Sequence, residues 1–243
     1  MLKKRVKENK RGSGHLEMIF SFVFFAGFVF LLFLLLKPYD TKSMLNSVLK
    51  GLEENLEERA LENLTTFFLE ANTSSGSCFS LDLSMEGNLF TYGYSNSYIE
   101  DLPSGAKVDA SINDIGLLKI KTAPGIKHFR VYISPEFEDS IISEPCIVIE
   151  EENYNIGSVL EREVFSYQEL EEINNSYYSD YENLKEELGI PKIYDFAITS
   201  KEIGISMERL IPSSSEVLAK NRYYTVLKQE GELINAEFNI KIW

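Results

Sequence analysis

Three patterns of apolar and polar positions follow one another along the chain. The first is an unbroken apolar run from Met18 to Leu36, MIFSFVFFAGFVFLLFLLL, with no charged side chain. At about 1.5 Å per residue, a helix of this length matches the ~30 Å hydrocarbon core of a bilayer, so the run predicts a transmembrane helix ended by Lys37 and Pro38. The second pattern covers residues 41–71. Leu45, Leu49, Leu52, Leu56, Ala60, Leu64 and Phe67/Phe68 recur at steps of three and four, while Glu53, Glu54, Glu57, Glu58 and Arg59 fill the opposite side. That spacing predicts one amphipathic helix, started by Thr41 or Ser43 and closed by the stretch from Asn72 to Gly76.

From Cys78 the period becomes two. Residues 78–84, 89–95, 106–111, 117–122, 127–134 and 146–151 read as strands, as do 193–199, 222–229 and 233–242. In the last of these, Ile234, Ala236, Phe238, Ile240 and Ile242 alternate with Asn235, Glu237, Asn239 and Lys241. The turn Gln229-Glu230-Gly231-Glu232 joins it to its predecessor as a hairpin. A helix over 166–188 interrupts the strands. Ser166-Tyr167-Gln168-Glu169 is a capping box at its start, and Gly189 with Pro191 stops it. The polar stretch Glu150 to Asn155 reads as a linker, with a sub-boundary near 152–166. The expected fold class is therefore α+β. A transmembrane helix continues into an amphipathic helix, which packs on an antiparallel, β-rich extracytoplasmic domain. The expected divisions are 1–12, 13–37, 38–76 and 77–243.

Charge sets the orientation. Lys3, Lys4, Arg5, Lys7, Lys10 and Arg11 precede the apolar run with only Glu8 and Glu17 against them, a net of +4 that leaves −18 on residues 37–243 of the whole-chain −14. The positive-inside rule puts the N-terminus in the cytoplasm and the large domain outside the cell. An ectodomain this acidic repels phosphates, so nucleic acid is excluded as a partner. A cleavable secretory signal would need a small-x-small site after the run, and LLLKPYDTKS offers none.

Immediately before the run stand Lys10-Arg11-Gly12, then Ser13-Gly14-His15-Leu16, then the carboxylate Glu17. This arrangement resembles the class III signal sequence of type IV pilin-like proteins, archaeal ones in particular. The resemblance covers about residues 8–36. It implies cleavage after Gly12 by a prepilin-type peptidase, with Lys10 and Arg11 as the basic positions, Ser13 as the new N-terminus and Glu17 as the fifth mature residue. It further implies that the apolar helix bundles with those of other pilin-like subunits into a surface filament. The physical logic is charge compensation: a carboxylate and an ammonium, each costly in an apolar bundle, offset each other between neighbours. Phe20, Phe22, Phe24, Phe25, Phe28, Phe30 and Phe33 would supply packing area, and Ala26-Gly27 would allow close approach. An ectodomain of this size suits a minor pilin or pseudopilin. The alternative is a single-pass, signal-anchored extracytoplasmic binding domain that does not polymerise.

Little other chemistry is legible. Cys78 and Cys146, in an exported domain, are expected to form a disulfide, with two buried thiols as the alternative. Two cysteines without a nearby histidine make no metal-ligand set, and no cofactor is implied. His15 reads as a polar residue at the membrane edge and His128 as an exposed strand residue beside Arg130. No nucleophile motif, phosphate loop or calcium loop is present, so no enzyme activity is expected. Three sequons, at Asn63, Asn72 and Asn174, are candidate glycosylation sites if the domain is exported.

Overall fold

The computed structural model describes residues 13–35, 41–73, 77–84, 96–113, 115–138 and 140–243. It divides into two compact units, Met1–Asn46 and Ser47–Trp243. The first contains α1 (Ser13–Leu35) and the opening of α2 (Thr41–Ala60). The second contains the rest of α2 and the β-rich body, built from β1 (Leu61–Thr73), β2 (Cys78–Asp82), β3 (Ser97–Asp101), β4 (Ala106–Val108), β5 (Ala110–Ile112), β6 (Leu117–Lys121), β7 (Gly125–Ile133) and β8 (Ile147–Val148). After a single 3-10 turn come β9 (Tyr154–Ser166), α3 (Tyr167–Ser179), α4 (Tyr181–Glu187), β10 (Phe196–Ser200), β11 (Ile205–Met207), β12 (Leu218–Leu227) and β13 (Leu233–Ile242).

The chain is α+β, but the transmembrane helix expected over Met18–Leu36 is not found. Among the described residues no helix is long and apolar enough to cross a membrane. The side chains of α1 are described from Glu17 to Phe33, 17 residues.

Nine strands form one sheet in the order β11-β10-β13-β12-β9-β1-β7-β3-β4, and four form a second, β5-β6-β2-β8. Pairing in the larger sheet is antiparallel except between β9 and β12, which run parallel and meet only at Phe165–Val226 and Ser166–Leu227. This short seam joins two leaves. The leaf β9-β1-β7-β3-β4 is covered by the four-stranded sheet. Phe67, Leu69 and Ala71 of β1, Phe129, Val131 and Ile133 of β7, and Phe79 and Leu81 of β2 fill the space between. Each large side chain buried there contributes roughly 1.5–3 kcal/mol. The leaf β11-β10-β13-β12 carries the helices, and Tyr177 of α3 donates to the Phe196 carbonyl at 2.7 Å.

Residues 61–73 are a strand, not the last turns of the amphipathic helix. α2 stops at Ala60 and β1 follows with no intervening loop. Leu64 and Phe67 continue the helical stripe by steps of four and three, which is why the stripe reads through. The run Thr65-Thr66-Phe67-Phe68 is β-branched and aromatic, and from Phe67 to Thr73 burial alternates strictly. β1 also changes sides. Leu64 belongs to a small cluster with Tyr132, Phe137, Val164 and Leu227. Phe67, Leu69 and Ala71 point to the opposite face, into the sandwich.

Of the polar stretch read as a linker, Glu151–Asn153 is the 3-10 turn and only Tyr154 and Asn155 enter a strand; the sub-boundary expected near 152–166 falls on the central strand β9, paired with β1 from Tyr154 to Phe165. Its signal is broken by a bulge in which Gly157 and Ser158 together face Phe68. A Cβ on Gly157 would lie 3.3 Å from Phe68 Cβ, so the close approach of the strands favours glycine there.

Other expectations hold more closely. β13 spans Leu233–Ile242 and pairs along its whole length with β12. Ser166 caps α3 by accepting from the Glu169 amide at 3.0 Å. The helix expected over 166–188 is divided at Asp180 into α3 and α4. The strand expected over 106–111 is divided at Asp109, where the chain passes from the larger sheet to the smaller. The strand expected over 89–95 lies outside the described residues.

Candidate functional site

α1 opens at Ser13, and Glu17 follows four residues later, one turn on and on the same helical face. Glu17 is exposed. Phe20, Phe22, Phe24, Phe25, Phe28, Phe30 and Phe33 are 59–77% exposed. They lie all around the helix, so α1 is apolar on every side. A Cβ built on Gly27 meets nothing within 4 Å, which leaves that flank open to a neighbour. Lys10, Arg11 and Gly12 lie outside the described residues, and so do the side chains of Ser13 and His15.

Cys78 and Cys146 form a disulfide with Cα atoms 4.8 Å apart. Cys78 opens β2 and Cys146 immediately precedes β8. The bond therefore closes the end of the parallel β2–β8 pair, whose register is Phe79–Ile147 and Ser80–Val148. A pair this short has little ladder energy of its own, and the covalent link holds it in register.

The sequons are not equivalent. Asn63 and Asn72 are exposed on β1. Asn174 sits on α3 half-buried, its Oδ1 enclosed without a hydrogen-bond partner. His128 stands on an exposed strand position, as read, with Nδ1 4.0 Å from Glu70 Oε2.

Inside the second unit are polar groups that no motif marks. Glu136, just after β7, is 1% exposed. Its carboxylate accepts from the Ser166 hydroxyl and from the Gln168 amide at 3.2 Å, at the N-terminus of α3. Burial pushes this carboxyl up to about 7. Ser166 and the Gln168 amide oppose the shift, and the charges of Glu62 and Glu169 add to it. Glu62 is also raised, first by burial and then by Glu169, and its Oε2 is enclosed without a partner. Glu169 is raised by burial and by Glu172, with Arg59 pulling the other way. A second buried centre is Lys185, 3% exposed, whose Nζ donates to the Lys192 carbonyl at 3.1 Å and to Asp195 Oδ1 at 3.3 Å. It lies over one ring, Tyr181, which Arg209 also stacks against at 3.4 Å. This centre fastens α4 to the strand entry at Asp195.

Among the described residues no group of three or more His, Cys, Asp or Glu side chains is arranged to hold a metal ion. The arrangement that stands out in the first unit is a bare apolar helix with one carboxylate near its start; the second unit is closed by a disulfide. Comparison with protein-family models, with characterised proteins and with solved structures finds no match.

Proposed function

We propose that this chain is a structural subunit, of the minor-pilin or pseudopilin kind, in a type IV pilus-like surface filament, and that its role is assembly rather than catalysis. A prepilin-type peptidase cuts after Gly12. The apolar helix from Ser13 onward then packs against the same helix of other pilin-like subunits. The Ser13 ammonium of one copy meets the Glu17 carboxylate of the next, which sets the axial step between subunits.

The observation that carries this reading is the exposed, all-round apolar surface of α1, with Glu17 one turn from Ser13. A surface of that extent requires cover, and the same helix on a neighbour supplies it without burying an unpaired charge. The Cys78–Cys146 disulfide supports an oxidising location for the domain.

The test is to express the full chain with a prepilin-type peptidase and sequence the N-terminus of the recovered protein. A chain beginning at Ser13, with Glu17→Gln abolishing filament incorporation while leaving domain unfolding unchanged, is the expected result. Recovery of intact Met1 would replace this reading with a non-polymerising binding domain.

A further inference from the structure

Independently of how the chain assembles, the second unit holds a group of carboxylates where its two leaves and α3 meet. Glu136 comes from the segment after β7, Glu62 from β1 and Glu169 from the first turn of α3. Glu136 forms the bridge. Its own amide donates to Ser134 Oγ at 3.3 Å, and its carboxylate takes up both the Ser166 hydroxyl and the Gln168 amide. Ser166 is itself the cap of α3, accepting from the Glu169 amide, so one hydroxyl serves the helix and the bridge together.

The surroundings do not neutralise this carboxylate. Glu62 and Glu169 both act on it unfavourably. Arg59 of α2 lies 3.9 Å from Glu169 and is engaged by Glu187 of α4 at 2.5 Å, and Arg162 of β9 stands opposite Leu64, two residues along β1 from Glu62. Ser134 donates to the Glu62 carboxylate, but Glu62 Oε2 is enclosed without a hydrogen-bond partner. The partial positive charge of the α3 N-terminus favours an ionised Glu136, but burial and two neighbouring acids oppose it. These residues are not arranged to hold a metal ion, so a proton is the cation left to balance them.

We propose that Glu136, with Glu62 and Glu169, is a proton-operated clasp that holds the segment after β7 on the N-terminus of α3. With a proton on the cluster, Glu136 stays buried against Ser166 and Gln168. When the carboxyl O–H breaks and its proton passes to water, two or three negative charges share one enclosed site. Glu136 then moves toward solvent, and the Gln168 amide loses its acceptor. The clasp controls how firmly residues 134–138 lie on the helix-bearing leaf.

Hydrogen exchange on the full chain, corrected for intrinsic rates, tests this between pH 5.5 and 8.5. Protection of the Gln168 and Phe137 amides is expected to fall about tenfold or more across that range. In Glu136→Gln, which keeps an acceptor but cannot ionise, protection is expected to stay level. Glu62→Gln is expected to move the transition to lower pH, because the charge of Glu62 makes Glu136 harder to ionise and the amide removes that charge; an unmoved or upward midpoint contradicts the clasp. Level protection in the unsubstituted chain, or an equal fall in Glu136→Gln, overturns the proposal. Should Glu136→Gln fail to fold, the side-chain carboxyl carbon of Glu136 is titrated by NMR in the unsubstituted chain. A midpoint in the ordinary carboxylate range overturns the clasp, and one near neutrality that coincides with the loss of Gln168 protection sustains it.

Discussion

Glu53 on α2 and Arg222 on β12 form a two-point ion pair, with Nε 3.0 Å from Oε1 and Nη2 3.0 Å from Oε2. Lys220 adds a third contact at 2.7 Å, and Glu53 itself is only 5% exposed. Fork-to-fork geometry of this kind fixes direction as well as distance, so the pair holds α2 on one line along the β12 strand.

Removing the carboxylate should therefore loosen that contact. Glu53→Gln is expected to destabilise the domain by about 2 kcal/mol, less than a fully buried pair because both cations reach solvent. Burial alone would raise this carboxyl, but the bonds from Arg222 and Lys220 outweigh it and leave it below its usual 4.5. A lowered native value means that the stabilisation is present above pH 4.5 and is lost as pH falls through the native value. Urea unfolding of the two proteins should give curves that separate at pH 7 and converge in acid.

Glu136 carries the opposite sign. Its native value near 7 lies above the ordinary 4.5, so the folded chain binds more protons than the unfolded one between those values. Stability is then greatest below about pH 4.5 for this group and declines as pH rises through 7. Glu136→Gln should match the parent at pH 5 and exceed it at pH 8 by roughly 2 kcal/mol, read from unfolding midpoints.

The turn between β12 and β13 depends on one glycine for two reasons. Gly231 has φ +82°, and a Cβ there would lie 2.5 Å from Tyr98 Cε1. Gly231→Ala should cost about 3 kcal/mol, one part from the backbone and the rest from the displaced ring. Combining it with Tyr98→Ala should recover the second part only. A thermal-unfolding double-mutant cycle checks this, and additive losses would contradict the contact.

Reduction of the Cys78–Cys146 bond releases a loop whose ends are 68 residues apart. The expected loss is about 4 kcal/mol in the chain-entropy account. Comparing denaturation with and without reductant measures it. Local exchange should rise first in β8, whose two ladder pairs with β2 are the ones the bond secures.

Legibility followed the range of the forces involved. The alternation in β13, the Ser166 cap and the turn at Gly231 come from adjacent residues, so they stand in the sequence as they stand in the fold. β1 was hidden because Leu64 and Phe67 satisfy a helical stripe and a strand equally well. β9 was hidden because its bulge breaks the alternation, and because much of the strand has neither face covered. Glu136 stands in the segment Ser-Pro-Glu-Phe-Glu and reads as an ordinary turn acid. Its partners are about 30 residues later, at Ser166 and Gln168, and on the other side at Glu62.

The sequence alone determined the apolar run after Gly12, the carboxylate at its head, the acidic domain and the short-range punctuation of its strands and helices. These are properties of composition and near-neighbour spacing, and no fold can alter them. The tertiary structure decided that α2 yields to a strand at Leu61, that the expected sub-boundary near 152–166 is a central strand, that the two cysteines meet, and which carboxylates share one site. Each of these rests on pairing or burial between residues far apart in the chain, where the free energy depends on what folding places opposite a side chain.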